Sequence, residues 1–237
     1  MAFISLKKTA MANIILIIGK SGSGKSTSIK TLNPQETVII NVLSKRLPFK
    51  GSNKIYNKEN KNLFNIGDYS KIKAYLTSIS NNAKHVKTVI IDDCTYLMRK
   101  ELFAKATDKG YNKFSEIAKN FQDLVQTIES LRDELNVVLM MHVEEEVHEN
   151  GLDSYKCATV GKMIEDKYKP EELVTTTLVC DIKIDKDTIT HGFYTRAAVY
   201  NGKLIPARSP EGMFDEDETF IPNDLQFVID KVNEFYN

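Results

Sequence analysis

Short apolar runs alternate along the chain with longer stretches in which apolar residues recur every three or four positions. Asn13–Ile18 is a mostly apolar run that ends in glycines, which predicts a buried strand. Gly24–Leu32 reads as a helix stopped by Asn33-Pro34. Thr37–Val42 and Thr88–Ile91 are further β-branched runs and predict two more buried strands. Residues 44–66 are rich in Lys and Asn and read as loop, with one short strand near Lys54–Tyr56. Asp68 is placed to cap a helix reaching about Ser80, with Tyr69, Ile72, Leu76 and Ile79 on one face. Thr95–Thr107 and Asn112–Leu135 carry helical periodicity, Val137–Val143 is another buried strand, and 144–170 reads as a polar loop. Leu173–Ile184 and Thr188–Val199 form a strand pair around Lys186-Asp187, and Pro222–Tyr236 is a terminal amphipathic helix. Strands alternating with helices predict an α/β fold with a mainly parallel sheet covered on both faces. Neither a linker nor a repeat interrupts the pattern, so the expectation is one domain over 1–237.

Composition narrows the class. Apolar residues make up 42% of the 237, enough to build a core, which excludes a disordered chain. No apolar run reaches the roughly 20 residues of a membrane span, so no membrane association is expected. Lys7 and Lys8 ahead of Ile14–Ile18 resemble a signal peptide only superficially, because glycines and not a cleavage site follow. Met11 can serve as a start, leaving residues 1–10 as a dispensable leader. Cys94, Cys157 and Cys180 lack metal spacing and fit buried thiols in a reducing cytoplasm.

The net charge of zero conceals an asymmetry. Residues 1–91 hold 15 basic and 3 acidic side chains, and the remainder hold 17 and 29. Most of the excess lies in 45–87, interleaved with Phe49, Tyr56, Phe64, Tyr69 and Tyr75. Basic charge with aromatic platforms suits single-stranded nucleic acid. The pattern equally fits a solvated lysine face, or head-to-tail association of a basic face with an acidic one.

One motif carries chemistry. Gly19-Lys20-Ser21-Gly22-Ser23-Gly24-Lys25-Ser26-Thr27 matches G-x-x-x-x-G-K-[ST] between a strand and a helix, the context of a phosphate-binding loop. Its glycines let backbone N–H groups turn toward phosphates. Lys25 is placed to reach the β- and γ-phosphates of a bound nucleotide, and the Ser26 hydroxyl to bind Mg²⁺. Val89-Ile90-Ile91-Asp92-Asp93 is a strand ending in carboxylates: Asp92 would hold Mg²⁺, and Asp93 would orient the attacking water or cap the next helix. His142 ends the strand Val137–Met141, where a polar group can sense the γ-phosphate. Glu144–Glu146 follow it. Arginines are few: Arg46, Arg99, Arg132, Arg196 and Arg208. Arg196 and Arg208 lie late enough to reach a neighbouring subunit's nucleotide, or to be plain surface charges.

The order of these elements resembles the minimal RecA-type ATPases of phages. More narrowly it resembles the phage AAA ATPases grouped with single-strand annealing proteins. The likeness rests on NVLSKRLPFK from Asn41, VIIDDCTYLM from Val89, KGYNKFSEI from Lys109, LRDELNVVLMMHVEEE from Leu131, TVGKM from Thr159 and ARSPEGMFDEDETFIPNDL from Ala207. The resemblance implies a RecA-like P-loop NTPase core with a β-rich C-terminal part, ATP hydrolysis with Mg²⁺, and DNA-dependent work in phage recombination or replication. It also implies head-to-tail homo-oligomers, phage single-strand-binding or replication proteins as partners, and the bacterial host cytoplasm as location. Carried over by position, Lys25, Ser26 and Asp92 would bind Mg·ATP, His142 would be the sensor, and Arg208 would be a finger acting in trans. The loop 143–170 would face DNA.

Two departures stand out. Asn41-Val42-Leu43-Ser44-Lys45 lacks the glutamate that RecA-type enzymes usually carry after the second strand, so Asp93 or one of Glu144–Glu146 takes its role, or hydrolysis is slow. The loop after His142 also opens with acids, which shifts the expected DNA contact to 45–87 together with Lys109, Tyr111 and Lys113. The alternatives are a nucleotide-gated scaffold with little hydrolysis and a small-molecule or nucleotide kinase. Five scattered arginines without a lid-like cluster count against the kinase.

Overall fold

The computed structural model describes residues 11–149 and 151–236. The expected leader, 1–10, lies outside the described residues. The chain opens with β1 (Asn13–Gly19), a 3-10 helix (Ser28–Thr31), β2 (Thr37–Asn41), α1 (Ser52–Ile55) and β3 (Leu63–Phe64). It continues through α2 (Tyr69–Asn82), β4 (Thr88–Asp92), α3 (Thr95–Ala104), α4 (Asn112–Glu129) and β5 (Asn136–Glu146). Next come β6 (Asp153–Cys157), α5 (Lys162–Lys167), a 3-10 turn (Pro170–Glu172) and the hairpin of β7 (Thr176–Asp185) and β8 (Thr188–Tyr194). The short strands β9 (Ala198–Tyr200), β10 (Lys203–Ile205) and β11 (Phe220–Pro222) precede α6 (Leu225–Tyr236).

The main sheet runs β3-β2-β4-β5-β1-β7-β8-β11. From β3 to β7 every pairing is parallel; β8 and β11 are antiparallel. This is an α/β core on a mainly parallel sheet, with a β-rich C-terminal part and a terminal helix, as the sequence pattern predicts. β5 lies between β1 and β4, so the strand of the glycine motif and the strand of the two aspartates are not neighbours. Their carboxyl ends nevertheless meet at one edge: Gly19 pairs with His142, and Asn41 with Asp92. β5 also continues past that edge, where Val143–Glu146 pair antiparallel with β6.

Alternation along β1 builds two cores. Leu16 and Ile18 face α2, α3 and α4, while Ile15 and Ile17 face the 3-10 helix and α6. All four are fully buried, each such burial contributing roughly 1.5–3 kcal/mol. α2 begins where expected, because the Asp68 carboxylate accepts from the Lys71 N–H.

Several expectations are corrected. The helix expected over Gly24–Leu32 shrinks to Ser28–Thr31. The Ser28 and Thr31 hydroxyls donate back to the Lys25 and Ser28 carbonyls, an alternative to helical bonding. Residues 52–55 form one helical turn, not a strand. The long helix ends at Glu129, and beyond it the Arg132 guanidinium donates to the Ile79, Ala83 and Val86 carbonyls around the end of α2. The expected loop 144–170 contains the end of β5, all of β6 and α5.

Candidate active site

Backbone conformation shapes the glycine loop first. Gly22 (φ +82°) and Gly24 (φ +110°) occupy the left-handed half of backbone space, where side chains are strained. Lys25 folds inward. Its ammonium donates to the Gly19 and Lys20 carbonyls at 2.7 and 2.9 Å, and burial pushes its pKa down. The outer carbonyls of the loop are tied to the far end of the chain. The His191 Nδ1–H donates to the Ser23 carbonyl at 2.8 Å, and the Asn223 amide donates to the Gly24 carbonyl at 3.0 Å. The Cys180 thiol also points at the Ser23 carbonyl, at 3.4 Å. Sequence reasoning missed these three, because nothing local marks a residue whose partner is a distant carbonyl.

The carboxylates at the end of β4 lie beside Lys25 and Ser26. The Ser26 hydroxyl donates to Asp92 Oδ1 at 2.9 Å. Asp92 is buried, and burial, with repulsion from Asp93, pushes its pKa up to about 6. Asp93 holds a left-handed backbone at φ +59°. Its Oδ1 lies 3.2 Å from His142 Nε2, and its Oδ2 lies 3.3 Å from the Lys45 ammonium. Burial pushes the Asp93 pKa up, but the His142 hydrogen bond and the Lys45 charge outweigh it and hold the carboxyl below its ordinary range. His142 is oriented by its own N–H, which donates to the Thr95 hydroxyl at 2.9 Å, and by Tyr96, edge-on at 5.7 Å.

These groups line one cleft of about 680 Å³. It brings together Lys25, Ser26, Asp92, Asp93 and His142, and adds Lys45, His191 and Asn223. Its carboxylates are Asp92, Asp93 and Asp224, and Asp224 accepts from the Phe227 N–H at the start of α6.

Other expected residues lie elsewhere. Glu145 pairs with Lys20 and Lys203, Glu146 with His148, and none of Glu144–Glu146 lines the cleft. The Arg208 guanidinium donates to the Glu171 and Val174 carbonyls of its own chain, and Arg196 to those of Phe214 and Asp215. A role in a neighbour's site would require breaking those bonds. Of the aromatics in 45–87, Tyr56 and Tyr69 are buried, whereas Phe49, Phe64 and Tyr75 are half-buried, Phe49 edge-on to Tyr56 and Phe64 tilted against Tyr75. All three cysteines are free and buried.

A sequence model of the AAA domain family matches residues 11–210. The chain belongs to the AAA domain family. Among solved structures, a KaiC-like protein from the hyperthermophilic archaeon Pyrococcus horikoshii OT3 is similar at 12% identity and a TM-score of 0.48, over 82% of this chain and 89% of that one. No curated protein matches the chain in sequence. Membership of the AAA domain family implies nucleotide binding, typically with Mg²⁺. The donor set fits that ion. A hydroxyl and a buried carboxylate stand side by side, and the described residues contain no cluster of three metal-binding side chains. Mg²⁺ commonly takes one or two protein oxygens and completes its shell with phosphates and water, so such a site suits it. No helix among the described residues is long and apolar enough to cross a membrane.

Proposed function

We propose that this AAA-family chain is a Mg²⁺-dependent ATP hydrolase that works on single-stranded DNA. The observation that carries the hydrolase reading is the convergence of Lys25, Ser26, Asp92, Asp93 and His142 in one cleft at the carboxyl edge of the parallel sheet. Lys25 exchanges two loop carbonyls for the β- and γ-phosphates, and the loop N–H groups hold the remaining oxygens. Ser26 and Asp92 would hold Mg²⁺, which when bound would supply charge neutralisation for the phosphates. Asp93 positions the attacking water, because Asp92 is given to the metal, Asp224 caps α6, and Asp93 Oδ2 is held only by the exposed Lys45. His142 fixes the Asp93 rotamer and reports its state along β5. Phosphoryl transfer asks mainly for such positioning, so a carboxylate of low basicity suffices.

The DNA reading rests on the α3–α4 connection. Phe103 and Tyr111 are 79% and 86% exposed, and Lys109 and Lys113 flank Tyr111. Exposed rings beside cations suit base stacking better than the buried and half-buried rings of 45–87. Charge separation along the sheet supports head-to-tail homo-oligomers: the basic half builds the β2–β3 edge and the acidic half the β8–β11 edge. A second reading, a nucleotide-gated scaffold with slow hydrolysis, is favoured by the Lys45–Asp93 pair that covers the water-positioning carboxylate.

ATP turnover with and without single-stranded DNA, with Lys25→Ala as the blank, tests the proposal. DNA-stimulated turnover that disappears in Lys25→Ala supports it. Turnover indifferent to DNA removes the DNA part, and no turnover with intact ATP binding selects the scaffold.

A further inference from the structure

Lys45 follows β2 through Ser44, itself left-handed at φ +58°, and lines the same cleft as Lys25 and Ser26. Its loop is pinned, since the buried Asn41 amide donates to the Lys45 carbonyl at 2.6 Å. The side chain is another matter. It is 61% exposed, and only its ammonium engages, at 3.3 Å from Asp93 Oδ2 and 5.6 Å from the Tyr96 ring. Asp93 is the fixed partner: 13% exposed, held on its other oxygen by His142 and in place by its own backbone. An exposed cation thus sits on an anchored anion at the mouth of a phosphate cleft.

Such a pair is easily exchanged, because its cation is exposed to water and Asp93 keeps its His142 partner when that cation leaves. The terminal phosphate of a nucleoside triphosphate brings more negative charge than one carboxylate, in three acceptor oxygens. It also brings that charge close to Asp93, which would be repelled unless a cation stood between them. A diphosphate reaches less far and offers no such partner.

We propose that Lys45 is a latch that responds to the terminal phosphate: it covers Asp93 until a triphosphate arrives, then moves onto the γ-phosphate and uncovers Asp93 Oδ2 for water. Lys45 is a ligand of the triphosphate and a positioning residue for Asp93, and no bond is made or broken in the exchange. The proposal rests on the hydrolase reading and adds to it the means by which the site tells ATP from ADP.

Titration of the full chain with ADP and with the slowly hydrolysed analogue ATPγS, both with Mg²⁺, tests it. Wild type is expected to prefer ATPγS. Lys45→Met keeps the chain length and removes the charge; it should leave ADP affinity within about twofold and cut the preference by roughly tenfold or more. Lys45→Arg should restore most of the preference. Lys45 is exposed, so loss of folding does not confuse the result, and equal melting temperatures of the variants verify this. A Lys45→Met protein with the wild-type preference overturns the latch and leaves the hydrolase reading standing. So does loss of the preference in Arg46→Met alone, which would assign the contact to Arg46. Wild type that binds neither nucleotide overturns both readings.

Discussion

Replacing Asp92 by asparagine separates what this residue does for folding from what it does for function. In an unfolded chain an aspartate releases its proton near 3.8, whereas in the folded, metal-free protein Asp92 releases it only near 6, because it is buried and faces Asp93. The folded state therefore binds that proton more tightly. Stability from this group is complete below about pH 4 and is lost as pH rises through 6, a loss of about 3 kcal/mol. Asparagine is uncharged throughout and carries no such loss. It also keeps an oxygen to accept from the Ser26 hydroxyl and the Asp93 N–H, which lie 2.9 and 3.1 Å from Asp92 Oδ1. In EDTA and without nucleotide, urea unfolding should show Asp92→Asn more stable than wild type by up to about 3 kcal/mol at pH 7.5. The gap should narrow to about half by pH 5. Mg·ATP should stabilise wild type and leave the variant nearly unaffected, with turnover lost. An Asn variant that is less stable at pH 7.5, or a gap that does not change with pH, would refute the reasoning.

Other outcomes follow from the same geometry. Gly24→Ala would place a Cβ 2.8 Å from the Asn223 amide nitrogen at φ +110°, so it should cost about 1–3 kcal/mol by thermal melting and weaken nucleotide binding. His191→Ala removes the donor to the Ser23 carbonyl; a rise in KM for ATP with kcat nearly kept is expected, and a stability loss of about 1 kcal/mol. Tyr111→Ala should weaken single-stranded DNA binding in an anisotropy titration without moving the melting temperature. Tyr56→Ala should do the reverse, losing about 3–5 kcal/mol of stability because its ring is buried.

Much of this arrangement was legible in the residue pattern. Strands β1, β4 and β5 announced themselves because strands buried on both faces must be continuously apolar. The loop motif fixed Lys25 and Ser26, and the aspartates ending β4 followed from its strand. Three things were hidden. Ser28 and Thr31 cut the expected helix short through hydroxyl bonds that periodicity does not encode. Strand β6 was lost because its pattern is too short and polar, although Ser154, Tyr155 and Cys157 are buried. Aromatics interleaved with lysines looked like platforms in 45–87, but interleaving alone does not distinguish a ring under the surface from one upon it. Burial of Tyr56 and exposure of Tyr111 are tertiary facts.

The bonds from His191 and Asn223 span 168 and 199 residues back to the glycine loop. They are therefore among the last contacts of the loop to close. Chains emerge from the ribosome N-terminus first, and contacts this remote in sequence close late. The Ser23 and Gly24 carbonyls gain these partners only once β8 and the turn before α6 have emerged. A stalled or clipped chain that ends before His191 displays the whole glycine motif without the braces that hold it. The shape of the glycine loop is therefore a property of the whole fold, set only when segments nearly two hundred residues apart have come together.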